Sequence, residues 1–141
     1  MEHQRVCGAI VFTIKNGQIL YLIVKSIKGD YGFPKGHSEP NETDKEAAMR
    51  EITEETCLKV NFINGFKDEH EYSPLDSPEV LKHLVLFLAQ YDYNQKFAPQ
   101  KEELESINLM SFHDAMIKIK HENLKQSLKK ADEFIRSLNK I

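Results

Sequence analysis

Three glutamates, Glu51, Glu54 and Glu55, are the residues whose type and spacing point most directly to chemistry. In a helix they fall at i, i+3 and i+4 and share one face. Carboxylates packed this closely repel: at ~4 Å and an effective dielectric near 20, each pair costs on the order of 4 kcal/mol. Two remedies exist. The side chains splay into water, as on any solvated acidic helix face, or they share a hard divalent cation such as Mg²⁺. That ion binds through a few carboxylates while keeping waters and taking substrate phosphates. The preceding segment favours the cation: Phe33-Pro34-Lys35-Gly36-His37 sets a turn of fixed φ, a positive charge and a Gly ahead of the loop to the carboxylates.

A helix must hold these groups in register. Thr43 followed by Glu46 is a capping box, which predicts a helix beginning just after Thr43. Helix-forming residues then run without Gly or Pro to about Thr56. Ala48, Met49, Ile52 and Thr56 project roughly a third of a turn beyond the glutamates, as a face that could pack inward.

The whole stretch resembles the box of the Nudix hydrolases, the MutT-like family. Gly36, five residues, Glu42, seven residues, then Arg50-Glu51-Ile52-Thr53-Glu54-Glu55-Thr56-Cys57-Leu58 matches the family pattern at every defining position but one. Cys57 stands where the family has Gly. A Gly there would adopt a left-handed cap, and a Cys in the same conformation costs about 1–2 kcal/mol. The expected consequence is on stability, not on the metal site.

The resemblance implies an α/β fold, a Nudix-type α/β/α sandwich around a mixed β-sheet. It also implies Mg²⁺ (Mn²⁺ as an alternative ion) held by Glu51, Glu54 and Glu55 with the Gly36 carbonyl, and one nearby carboxylate as base. Glu42 and Arg50 would organise the loop and helix by ion pairing. Lys35 would meet a phosphate. A further acidic ligand or base is expected before the last strand, where Glu102, Glu103 and Glu105 are candidates; spacing in the resemblance selects Glu103. Cleavage of a phosphoanhydride by water needs these parts, because a cation between carboxylates and polyphosphate reverses their mutual repulsion and lowers the pKa of a bound water.

Further features resemble the asymmetric diadenosine tetraphosphate hydrolase branch. They are Arg5-Val6-Cys7-Gly8, Pro34-Lys35-Gly36-His37, Gly65-Phe66-Lys67 followed by Tyr72, and Lys82. Carried across, Arg5, Lys35 and Lys82 bind substrate and Tyr72 stacks on adenine, which an aromatic face can do without a hydrogen-bond code. Two departures weigh against dinucleotide specificity: a longer loop between Tyr72 and Lys82, and Ile107 where a second stacking aromatic is expected. The alternatives with the same chemistry are an RNA 5′-end pyrophosphohydrolase and a pyrophosphatase of nucleoside triphosphates, oxidised ones included. An alternative of another class is a catalytically silent, nucleotide-sensing Nudix module, against which the intact glutamates argue.

The 141 residues fit a single domain, with 40% hydrophobic and 29% charged residues and a formal charge of −3. That balance does not suggest a general nucleic-acid surface; nucleic acid enters only with the RNA alternative. Cys7 and Cys57 make no disulfide framework, the first residues lack a signal-peptide pattern and no apolar run reaches membrane length, so a cytoplasmic protein without membrane contact is expected. A monomer or small homo-oligomer is expected.

Strands are predicted at Arg5–Ile14, Gln18–Ser26, Lys59–Tyr72, Leu81–Tyr93 (the central one) and Leu104–Met110, the last near an edge. Asn16-Gly17 marks a hairpin. A second cap at Ser111 and the stripe Leu124, Leu128, Ala131, Ile135, Leu138 predict C-terminal helices packed on the sheet, with Lys118, Lys120, Lys125, Lys129 and Lys130 as the solvated face. His37, His70 and His83 lack ligand spacing and read as polar loop or strand residues.

Overall fold

A computed structural model describes residues 1–100 and 102–139. The elements are strands β1 (Glu2–Lys15), β2 (Gln18–Ser26), β3 (Tyr31–Gly32) and β4 (Lys35–His37), helix α1 (Asp44–Thr56), strands β5 (Asn61–Tyr72), β6 (Val80–Gln90) and β7 (Leu104–Met110), and helices α2 (Phe112–Lys118) and α3 (Glu122–Asn139).

All strands join one mixed sheet in the order β3-β2-β1-β6-β5, with β4 on β1 and β7 on β2. The β1–β2 hairpin turns at Asn16 and Gly17, whose φ values of 52° and 78° suit an Asn-Gly pair. β1 runs parallel to β6 from Glu2 to Phe12, and this occupies one edge of β1. The other edge is divided. Its far half, Val11 to Lys15, pairs with β2, and Val6 to Gly8 pair with β4. β2 likewise leaves β1 after Leu22 and pairs with β3 at Val24 and Lys25. The two hairpin strands therefore splay, and residues 31–37 fill the wedge between them. The candidate site lies in that wedge.

Alternation along the strands sorts the core into two layers. Ile10, Phe12, Tyr21, Ile23 and Leu86 face α2 and α3, meeting Ala115, Leu128, Ala131 and Ile135. Ala9, Val11, Leu22, Val85 and Phe87 face α1, meeting Ala47, Ala48 and Ile52. This is the expected α/β/α sandwich.

The boundaries differ from expectation in instructive places. β1 starts at Glu2, before the predicted Arg5, because polar residues there pair with the start of β6. β5 starts at Asn61 and breaks register between Phe62 and Lys67 around Gly65, whose φ is 97°. β6 ends at Gln90, short of Tyr93. It does run between β1 and β5, as expected of a central strand, while β7 pairs with β2 alone. The stripe on α3 ends at Ile135: Leu138 is exposed, and the buried Asp132 accepts a hydrogen bond from the Tyr21 hydroxyl.

Candidate active site

Helix α1 begins as its sequence dictates. Thr43 Oγ1 accepts from the Glu46 amide at 3.1 Å and the Glu46 carboxylate accepts from the Thr43 amide at 2.8 Å, closing the capping box. At the other end Cys57 adopts the left-handed conformation with φ 66°, and its amide donates to Thr53 O. Ala47, Ala48, Ile52 and Thr56 are buried, whereas Met49 is half-buried. Two of the three carboxylates do not splay into water. Glu51 and Glu55 retain only 4% and 5% of their exposure, and the Glu54 side chain alone remains open at 45%.

Two buried carboxylates need partners, and β4 with Arg50 supplies them. The Lys35 amide donates to Glu55 Oε2 at 2.9 Å. Glu51 lies flat against Gly36, where a Cβ would overlap its carboxylate. Arg50 donates through Nη1 to Glu51 at 3.0 Å and to Glu54 at 3.2 Å, and through Nη2 to the His37 carbonyl at 2.9 Å. Its Nε and Nη2 also hold both oxygens of Glu42, at 2.7 and 3.1 Å. Glu42 in turn accepts from the Glu39 amide at 2.8 Å, which closes the loop between β4 and α1.

These groups border a cleft of about 590 Å³. Lys35, Gly36, Arg50, Glu51, Glu55, Tyr72, Lys82 and Glu103 all line it, so the wedge gathers these residues from three strands, one helix and one turn. Tyr72 and Lys82 face each other across the β5–β6 ladder. The Lys35 ammonium stands 3.5 Å from where Gly32 would carry a Cβ, and burial, reinforced by Lys82 and opposed by Glu55, pushes its pKa below the ordinary lysine value. Burial likewise raises the Tyr72 phenol.

Arg5 is placed elsewhere. It forms a two-pronged pair with Asp44, with both nitrogen–oxygen distances 2.7 Å, and it does not border the cleft. Ile107 opposes Val24, packs against the α1-side core and does not border the cleft. His37 contacts Gln4, His70 contacts Asp68 and Ser127, and His83 contacts Glu69.

Sequence reading missed several walls of the cleft. Tyr31 and Phe33 border it, and the Tyr31 ring has the Lys25 and Lys118 ammonium groups at 5.4 and 5.6 Å. Two aromatics flanking Gly32 beside Pro34 were a readable signal for an apolar wall. His121 and Leu124 also border it from the start of α3, and their arrival depends on how that helix docks.

Among the described residues, no three His, Cys, Asp or Glu side chains are gathered into a ready-made metal cluster. Arg50 draws Glu51 and Glu54 toward itself, and the Lys35 amide holds Glu55. The donor set nevertheless fits a hard divalent ion: two buried carboxylates and a third that is exposed, beside a Gly with no side chain of its own.

A mixed sheet between helices, with a carboxylate helix keyed to a Gly-bearing strand at a splayed hairpin, defines the class of fold. The chain belongs to the Nudix family, as a Nudix hydrolase: residues 2–132 match the NUDIX domain. It is 28% identical over 143 residues to the bis(5′-nucleosyl)-tetraphosphatase [asymmetrical] of Mus musculus, covering 93% of this chain and 95% of that one. Its fold superposes on a Caenorhabditis elegans Ap4A hydrolase binary complex with a TM-score of 0.86 at 19% identity, covering 95% and 98% of the two chains. The NUDIX domain of Shewanella oneidensis NrtR, complexed with ADP ribose, superposes at 0.76 with 16% identity, covering 96% and 90%.

Proposed function

We propose that the chain hydrolyses a phosphoanhydride bond in a nucleoside polyphosphate, with Mg²⁺ (or Mn²⁺) as the ion, and that diadenosine tetraphosphate, opened asymmetrically to ATP and AMP, is its substrate. One observation carries the reading: buried Glu51 and Glu55 border the same cleft as Lys35, Lys82 and Tyr72. A carboxylate pair, two ammonium groups and a half-buried aromatic ring are the complement of a cation, a phosphate chain and a base.

A bound Mg²⁺ would screen the phosphate charge and lower the pKa of the attacking water. Glu51, Glu54 and Glu55, with the Gly36 carbonyl and Glu103, which also lines the cleft, would hold it. Lys35 and Lys82 bind the phosphate chain, and Tyr72 stacks on adenine. Water adds its oxygen to one phosphorus and the phosphoanhydride P–O bond breaks. The proton passes to a carboxylate and the phosphate chain leaves as ATP. The named activity of the mouse relative supports this choice of substrate. Free thiols at Cys7 and Cys57 support a reducing, cytoplasmic setting. No helix among the described residues is long and apolar enough to cross a membrane.

A substrate panel with Mg²⁺, products identified by chromatography, tests the reading. ATP and AMP from diadenosine tetraphosphate are expected. Fast turnover of triphosphorylated RNA alone, or of oxidised nucleoside triphosphates alone, would replace it.

A further inference from the structure

Gly8 lies outside the stretch Gly36 to Leu58 that carries the carboxylates and does not border the cleft, yet β4 rests on it. In the β1–β4 ladder Gly8 opposes Lys35, and the neighbouring Ala9 amide donates to Pro34 O at 3.2 Å. A Cβ at Gly8 would overlap the Pro34 carbonyl oxygen and stand 2.5 Å from Lys35 Cβ and 2.8 Å from Lys35 Cα. These are backbone atoms or atoms one bond from it, so no flexible side-chain end can yield. The backbone of β4 itself would have to move outward.

What β4 carries makes that movement consequential. Its Lys35 amide holds Glu55, its Gly36 lies against the Glu51 carboxylate and its His37 carbonyl takes Arg50. The Lys35 ammonium hangs from the same three residues. We propose that Gly8 is a positioning residue for the reaction: the missing side chain sets how deeply β4 seats against β1. Through that depth it sets Glu51, Glu55 and the Lys35 ammonium together. This inference rests on the reading of Glu51 and Glu55 as holders of a divalent ion. A side chain at position 8 displaces three groups at once while leaving every cleft residue chemically intact, and misplacement by about 1 Å at a catalytic constellation lowers rate on the order of 100-fold.

The test is Gly8→Ala in the full chain, with Gly8→Val as the larger step, compared with the unaltered protein. Mn²⁺ binding is followed by the electron paramagnetic resonance of the free ion, protection of the Lys35 amide by hydrogen exchange, and kcat and KM separately. The expected result for a folded Gly8→Ala is roughly tenfold weaker Mn²⁺ binding and tenfold lower Lys35 protection. A kcat about 100-fold lower with KM changed less is expected too, and Gly8→Val is worse in each. Mn²⁺ affinity and kcat within threefold of the unaltered protein would overturn the proposal. So would an unfolded Gly8→Ala, which would assign the glycine to the fold and not to the site. Failure of the unaltered protein to bind Mn²⁺ would overturn the cation reading instead.

Discussion

Arg50 grips Glu42 with two nitrogens, Nε at 2.7 Å and Nη2 at 3.1 Å, across the loop that joins β4 to α1. The same guanidinium holds the His37 carbonyl and two of the clustered glutamates, so one cation ties strand, loop and helix. The Arg50 hydrogen bonds, then the Glu39 amide, keep the Glu42 carboxyl below the ordinary glutamate value, against a smaller opposing effect of burial. A carboxyl whose pKa is depressed by folding contributes stability above its unfolded pKa, and that stability is lost as pH falls through the folded value. Thermal melting measured from neutral pH downward should therefore show a loss below the ordinary value of 4.5, and Glu42→Gln should flatten that part of the acid limb. Parallel curves for the two proteins would mean that the pair contributes nothing to folding.

Glu54 differs from its neighbours in burial, and so in what its loss should do. With 45% of its side chain exposed it contributes less to packing than Glu51 and Glu55, and its ion pair with Arg50 lies nearer to water. Glu54→Gln is expected to lower turnover by at least ~100-fold, the size of losing one preorganised electrostatic group, with the melting temperature nearly unchanged. Turnover close to the unaltered protein's would remove Glu54 from the ion's holders.

Much of this arrangement was legible from local pattern. The capping box at Thr43 and Glu46, the Asn16-Gly17 turn and the limits of β2 and β7 follow from neighbouring residues alone, and the structure places them there. Long-range pairing was not legible. Glu51 and Glu55 are buried because β4 closes over them, and nothing within α1 itself could announce that. Arg5 turns to Asp44, distant in sequence, and leaves the cleft. His121 and Leu124 reach the cleft because the first turn of α3 comes against Gly32, a long-range contact that the helix's own stripe does not announce, just as it does not announce that Leu138 stays exposed.

Cys57 carries the strain of its left-handed backbone with an exposed side chain. Cys57→Gly should raise stability by about 1 kcal/mol, which for a chain of this size is a rise of about 2–4 °C in Tm, and leave turnover within about twofold. A large change in turnover at constant Tm would place this position in the chemistry.

Tyr72 should act on affinity. Base stacking on an aromatic face is worth about 1–3 kcal/mol, so Tyr72→Ala is expected to raise KM about 5- to 150-fold with kcat little altered, while Tyr72→Phe keeps KM near its original value. Equal KM values for all three proteins would show that the ring does not meet the base.

The central claim is that Glu51, Glu54 and Glu55 exist to hold a divalent ion against a nucleotide's phosphates. Its most direct test is titration of the purified full chain with Mn²⁺, reading the free ion by electron paramagnetic resonance, with and without a non-hydrolysable nucleoside polyphosphate. The account predicts that the protein removes free Mn²⁺, more tightly when the nucleotide is present, and that Glu51→Gln and Glu55→Gln weaken this removal at least tenfold. A free-ion signal that the protein leaves unchanged beyond what nucleotide alone removes would contradict it.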